Sequence, residues 1–298
     1  MTVKTSSEIR STGQATLPRV ASDADFPASY RPIILAGQGA YTETWKVQNL
    51  QTGKLFALKK SKKDLHGLKT VRTLLQNESH VARCANSDFI VEIHDVVDSN
   101  SIPCTIFEWL TGTTLEAILQ EQQFLPIESS LWIARQCALG LLDLQQAGFI
   151  HGDVKPANIF VLNSGRVKLI DLGFARPVDQ AETSATVSGT PEYMPPEVLS
   201  QENHSVLHRD MYSLGVTLFR MLAGRLPFEA DSVSEMLELH RQARPPQLRK
   251  FCPHAPRELA DFVERLLSKH PLRRPENLRE LAHQLIQFEL AGWPIDCN

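Results

Sequence analysis

From residue 30 onward, apolar and polar positions recur with a period that the first 29 residues lack. Residues 32–36 form a strand-like run, and Gly37-Gln38-Gly39 turns it. Residues 45–47 and 55–58 read as the next two strands, joined by the turn pair Thr52-Gly53. Residues 68–85 have the composition of a helix, and 90–97 and 102–107 return to strand-like runs. Past Trp109 the period changes. Leu131, Ala134, Ala138, Leu141 and Leu142 fall at helical steps within 126–146, with Gly148 as the stop. Short strands are expected at 159–161 and 167–170, then a Ser/Thr-rich loop at 174–190. Helical patterns follow at 211–223, 233–243, 257–269 and 277–291. Strands first and helices afterwards predict an α+β protein of two lobes with a cleft between them. The expected division is a flexible tail over 1–29, a small antiparallel sheet lobe over 30–107 and a larger, mainly helical lobe over 108–298.

Composition narrows the field. The chain has 298 residues, 42% of them hydrophobic, which is enough for a sizeable core. A net charge of -3 gives no sign of a nucleic-acid partner. Cys84, Cys104, Cys137, Cys252 and Cys297 are scattered and form no CxxC pair. That argues against a disulfide framework or a zinc site and for a reducing, cytoplasmic setting. No apolar run approaches the roughly 20 residues of a membrane helix, and the N-terminus lacks a signal-peptide core. An anchor elsewhere in a longer protein stays open, as does the oligomeric state.

Several residues carry candidate chemistry. Gly37-Gln38-Gly39 joins strand to strand, unlike a dinucleotide loop that opens a helix. Turn glycines are common, so this pair alone carries little. Lys59 closes an apolar strand 20 residues beyond Gly39, where it can meet phosphate oxygens. It needs an acidic partner, and Glu78 in the following helix is the candidate. The densest signal is the string His151-Gly152-Asp153-Val154-Lys155-Pro156-Ala157-Asn158, followed by Asp171-Leu172-Gly173. The Asn158 amide oxygen and the Asp171 carboxylate suit Mg²⁺. Asp153 can orient an attacking hydroxyl and take its proton. Lys155 can neutralise charge on a moving phosphoryl group. Phosphoryl transfer is mostly positioning and electrostatics, and these are the groups it uses.

Over about residues 31–290 the chain resembles the eukaryotic-type (Hanks-type) serine/threonine protein kinase family, with a compactness that suits its bacterial members. Residues 37–42 resemble its glycine-rich loop, 56–59 its V-A-I-K, 151–158 its H-R-D-L-K-P-E-N and 171–173 its D-F-G. Residues 189–197 resemble G-T-P-x-Y-M-A-P-E, and 210–215 resemble D-x-W-S-L-G. Arg274 resembles the arginine that pairs with the last glutamate of that segment, here Glu197.

The resemblance implies a bilobal kinase fold, ATP and Mg²⁺ (or Mn²⁺) as cofactors, and protein substrates. It implies catalytic roles for Asp153, Lys155, Asn158, Lys59 and Glu78. It implies nucleotide contacts from Gly37, Gln38, Gly39, Ala57, Lys59, Glu108, Leu110 and Asp171, with Phe107 as gatekeeper. Lys155 and Thr190 point to Ser or Thr as the acceptor.

Four departures matter. Thr42 replaces the third loop glycine and Thr44 an apolar residue on the adenine, which predicts weaker ATP binding. Gly152 replaces the arginine that grips an activation-loop phosphate. Thr183, Ser184, Thr186 and Ser188 thus lose that partner, and activity is expected without loop phosphorylation. Ala157 stands where many kinases of basic substrates have Glu. His-Gly-Asp also occurs in aminoglycoside-type small-molecule kinases, and Thr42 and Thr44 raise the option of a pseudokinase scaffold. The intact set of charged groups and residues 189–197 favour the protein kinase.

Overall fold

The computed structural model describes residues 25–99, 102–179, 189–199 and 206–292. Its first part is a five-stranded antiparallel sheet with one helix. The strands are β1 (Tyr30–Gln38), β2 (Thr42–Asn49), β3 (Leu55–Ser61), β4 (Ile93–Ser99) and β5 (Ile102–Glu108), in the order β1-β2-β3-β5-β4. Helix α1 (Lys69–Cys84) lies between β3 and β4 in sequence. Strand periodicity decides the two faces of β2. Glu43, Trp45 and Val47 are buried, while Thr42, Thr44 and Lys46 are only partly covered. Trp45 and Val47 join Phe56, Leu58, Cys104 and Ile106 in the core of this lobe.

The second part begins with β6 (Gly112–Thr114), α2 (Leu115–Gln122) and the long α3 (Ile127–Gln146). Four short strands follow: β7 (Phe149–Ile150), β8 (Ile159–Leu162), β9 (Val167–Leu169) and β10 (Arg176–Pro177). They form a β6-β8-β9 sheet and a β7-β10 pair. Helices α4 (Arg209–Ala223), α5 (Val233–Gln242), α6 (Arg257–Leu266) and α7 (Leu278–Gly292) complete the lobe. Leu131, Ala134, Ala138 and Leu141 of α3 are buried as their spacing predicts. Helix α4 is buried almost all round, from Asp210 to Phe219, which makes it the central post of this lobe.

The structure corrects the sequence reading at several points, the unexpected short strands β6, β7 and β10 among them. The strand expected at 90–97 starts only at Ile93. Residues 89–91 leave the sheet to pair with β9, where Val91 N–H donates to Leu169 O at 3.0 Å and Leu169 N–H to Phe89 O at 2.8 Å. Helix α2 is an addition to the expected elements; the Thr114 side chain caps it by accepting from Ala117 N–H. The helix expected to run to 269 ends at Leu266, shortly before Pro271 opens a tight turn. Residues 25–29 depart from the tail expected over 1–29. Phe26 is buried against Trp45, with ring centroids 5.3 Å apart, and Lys60 Nζ lies 4.3 Å from its ring centre. Residues 1–24 and the loop hydroxyls Thr183, Ser184, Thr186 and Ser188 lie outside the described residues. No helix among the described residues is long and apolar enough to cross a membrane.

Candidate active site

Lys59 is the meeting point of three elements. It sits on β3, opposite Thr44 of β2 and Thr105 of β5. Its Nζ lies 2.9 Å from both carboxylate oxygens of Glu78 on α1. It also lies 2.9 Å from Oδ1 of Asp171, just past β9. Burial works against the lysine's charge, but the Glu78 and Asp171 carboxylates outweigh it and hold its pKa above the ordinary value. Burial pushes the Glu78 carboxyl up to about 7, against the pull of Lys59. Asp171 goes the other way: burial opposes its charge, but Lys59, with His151 and Lys155, keeps its carboxyl below the usual range. Asp171 has φ +62°, the left-handed region that few non-glycine residues adopt. This backbone turn brings its carboxylate to Lys59.

Asp153 organises the other half of the site. Its Oδ1 accepts from the Thr190 N–H at 2.9 Å and the Thr190 hydroxyl at 2.8 Å. Its Oδ2 lies 2.7 Å from Lys155 Nζ and accepts from Asn158 Nδ2 at 3.0 Å. Lys155 Nζ donates to Thr190 Oγ1 at 2.5 Å. The loop is hung from α4: Asp210 accepts from the His151 N–H at 2.7 Å and the Gly152 N–H at 3.0 Å. His151 Nε2 lies 3.2 Å from Ile170 O, which ties this loop to the residue before Asp171.

The donor set fits a hard divalent cation. Asn158 spends Nδ2 on Asp153, with bonds of 2.8 Å to O and 3.0 Å to Oδ2. That turns its Oδ1 away as the available oxygen. Asp171 accepts from Lys59 through Oδ1 alone and its side chain is 41% exposed. Few protein oxygens and an open side is the arrangement Mg²⁺ takes with nucleotide phosphates.

Gly37 lies within β1 and pairs with Thr44, and Gln38 pairs with Glu43. Gly39 N–H closes the turn onto Thr42 O at 2.9 Å. Ala57 pairs with Phe107 across β3 and β5, and Ala57 and Leu110 flank one apolar cluster with Phe107. Glu108 follows Phe107 at the end of β5.

Other members were missed by the sequence reading. The Glu108 carboxylate accepts from Lys168 Nζ at 2.5 Å and from Glu92 N–H at 2.8 Å. A lysine inside the apolar run 167–170 was the available sign. Arg220 grips Glu116 with bonds of 2.7 and 2.8 Å and donates to the Tyr193 hydroxyl at 2.6 Å. Arg220 and Glu116 line an open groove of about 520 Å³ beside Lys155, Ala157, Thr190 and Glu192. Nothing local in the sequence pairs residues so far apart.

A sheet lobe and a helical lobe meeting at a lysine–carboxylate cluster, beside a threonine-bound aspartate, define a protein kinase domain. Comparison agrees: residues 30–287 match the protein kinase domain, and the chain belongs to that family. It is 31% identical over 266 residues to the serine/threonine-protein kinase pkn2 of Myxococcus xanthus, covering 86% of this chain and 32% of the relative. A probable serine/threonine-protein kinase of Clostridium perfringens is 28% identical over 259 residues, covering 86% and 38%. The atypical protein kinase C of Drosophila melanogaster is 33% identical over 205 residues, covering 68% and 34%. The chain spans about a third of the length of these curated relatives.

Proposed function

We propose that this chain transfers the γ-phosphoryl group of ATP to serine and threonine hydroxyls of proteins, and does so without needing phosphorylation of its own activation loop. The observation that carries the reading is the joint placement of Lys59, Glu78 and Asp171 beside Asp153, Lys155 and Asn158. Lys59 binds nucleotide phosphates and Glu78 holds it in place. Asp153 orients the acceptor hydroxyl and takes its proton as the oxygen attacks phosphorus. The bond to the β-phosphate oxygen breaks, and ADP leaves with the electron pair. Lys155 offsets charge on the moving group. Mg²⁺, or Mn²⁺, held by Asn158 and Asp171, would neutralise phosphate charge when bound. Gly37, Gln38 and Gly39 cover the phosphates, while Ala57, Glu108 and Leu110 surround the base. The lobes divide at 107/108, and a cytoplasmic supply of ATP suits the reaction.

Independence from loop phosphorylation rests on Gly152. It has φ +77°, and an added Cβ would lie 2.7 Å from Phe174 O. The position has no room for a phosphate-gripping arginine, yet the Lys59–Glu78 pair is closed.

The test is transfer from labelled ATP with Mg²⁺, comparing wild type with Asp153→Ala and Asp171→Ala. Label on protein that vanishes in both variants supports the proposal. Label confined to small metabolites points to a small-molecule kinase, and absence of nucleotide binding points to a scaffold.

A further inference from the structure

His240 of α5 is completely buried, 48 residues from the backbone oxygen it serves. Its Nε2 lies 3.0 Å from Glu192 O, a carbonyl that can only accept. The proton must therefore sit on Nε2, which leaves Nδ1 as an acceptor. The Tyr212 hydroxyl, 2.8 Å from Nδ1, must donate to it. Tyr212 belongs to the central helix α4 and is fully buried, with Arg274 stacked 4.8 Å over its ring. Lys269 Nζ approaches the same hydroxyl at 3.4 Å and donates to Leu239 O at 3.3 Å. One directed chain of hydrogen bonds thus runs from α4 through α5 to the carbonyl of Glu192.

That carbonyl is in a sensitive place. Pro191–Tyr193 is a single tight turn, with Tyr193 N–H bonded to Thr190 O at 3.0 Å. Thr190 is the residue that grips Asp153 and Lys155. Glu192 and Tyr193 line the open groove beside Lys155. On its other side the turn is held by the Ser213 hydroxyl, which donates to Tyr193 O at 2.8 Å. Ser213 and Tyr212 are consecutive on α4, so one helix fixes the turn directly and again through His240.

We propose that His240 is a positioning residue for the protein acceptor: with Tyr212 it holds the Glu192 carbonyl, and so fixes the turn against which the segment bearing the acceptor hydroxyl lies. The proposal rests on the protein-kinase reading of the same site. His240 touches neither nucleotide nor reacting atoms. Its loss acts on acceptor binding and leaves the nucleotide half of the site, built on β3, α1 and Asp171, unchanged.

The experiment uses the full 298-residue chain and dephosphorylated casein as acceptor, with His240→Leu, His240→Gln and Tyr212→Phe. Leucine fills the space but leaves the hydroxyl and the carbonyl unpaired. Glutamine offers one acceptor and one donor, as the neutral imidazole does. His240→Leu is expected to raise the KM for casein about fivefold, the loss of a buried hydrogen bond. The KM for ATP stays put, amide exchange over residues 190–194 accelerates, and His240→Gln restores wild-type behaviour. An unchanged casein KM, an ATP KM that rises in step, or a glutamine variant no better than leucine overturns the proposal. If His240→Leu does not fold, Tyr212→Phe, which removes one oxygen, decides the matter through the same changes in casein KM and amide exchange. If the wild type transfers no phosphate at all, the kinase reading fails, and amide exchange over 190–194 still decides the link between His240 and the turn.

Discussion

The space above Gly152 is closed by the Phe174 carbonyl, which would stand 2.7 Å from any Cβ placed there. The left-handed backbone at Gly152 disfavours a side chain for a second, independent reason. Restoring the family's arginine should therefore not restore phosphate control. Gly152→Arg is expected to cost roughly 2 kcal/mol or more of stability and to lower activity. Conversely, joint replacement of Thr183, Ser184, Thr186 and Ser188 by Ala should leave kcat within about twofold, because Gly152 offers no cation to a loop phosphate. Melting temperatures and steady-state kinetics check both. A tenfold fall in the quadruple variant would remove the case for independence.

Thr44 shares a face of β2 with Lys46, whose Nζ lies 4.7 Å from the centre of the Trp109 ring just past β5. Thr44 also pairs with Lys59. It therefore faces the cleft where the base is expected. Thr44→Val exchanges a hydroxyl for a methyl there, worth roughly 0.8 kcal/mol of apolar contact. The KM for ATP should fall about fourfold. Thr42→Gly should shift it in the same direction by freeing the loop. A higher KM in either variant contradicts the weakening assigned to these threonines.

Arg274 and Glu197 form a two-pronged pair at 2.6 and 2.7 Å, with both side chains fully buried. Arg274 also donates to His208 O at 2.9 Å and Ser268 O at 3.1 Å. Removing Glu197 leaves the Arg274 charge buried without its carboxylate, which costs about 3–5 kcal/mol. Glu197→Ala should therefore lower the urea midpoint sharply. Arg274→Lys should fail to rescue, since an ammonium cannot make the parallel bonds. A midpoint within error of wild type in either variant would show that the pair contributes no stability.

Acid stability should depend on His240. Burial, and then Lys269, lowers its pKa to about 4 from the ordinary 6.5. The unfolded chain takes up this proton near 6.5, the folded one only near 4. The stability His240 contributes is thus complete above pH 6.5 and is lost as pH falls from 6.5 toward 4. Glu78 has the opposite sign: its carboxyl, raised by burial to about 7 from 4.5, costs stability as pH rises from 4.5 through 7. Melting temperatures measured against pH should fall less steeply below 6.5 in His240→Gln than in wild type, by up to about 3 kcal/mol of stability. Parallel curves for the two proteins would contradict this assignment.

Much of the candidate site was legible because its residues lie in short strings. Residues 151–158 and 171–173 each present their charges within one turn of chain. Helices α3, α4 and α5 were legible through their apolar period. The run 90–97 misled for a physical reason: a short apolar segment looks alike whether it pairs with β5 or crosses to β9. Helix α2 was hidden because its eight residues carry only a brief period.

The sequence by itself determined the lobes, the family and the inventory of charged groups, since these follow from local period and contiguous motif. Beyond the pairs Lys59–Glu78 and Arg274–Glu197, only the tertiary structure decided who partners whom. Lys59 and Asp171 are 112 residues apart, Asp153 and Thr190 37 apart, and His240 and Glu192 48 apart. Hydrogen bonds act over about 3 Å and record nothing of such separations in the chain. For the same reason Gly152, which the sequence shows only as a missing arginine, becomes in the fold a position that Phe174 leaves no room to fill.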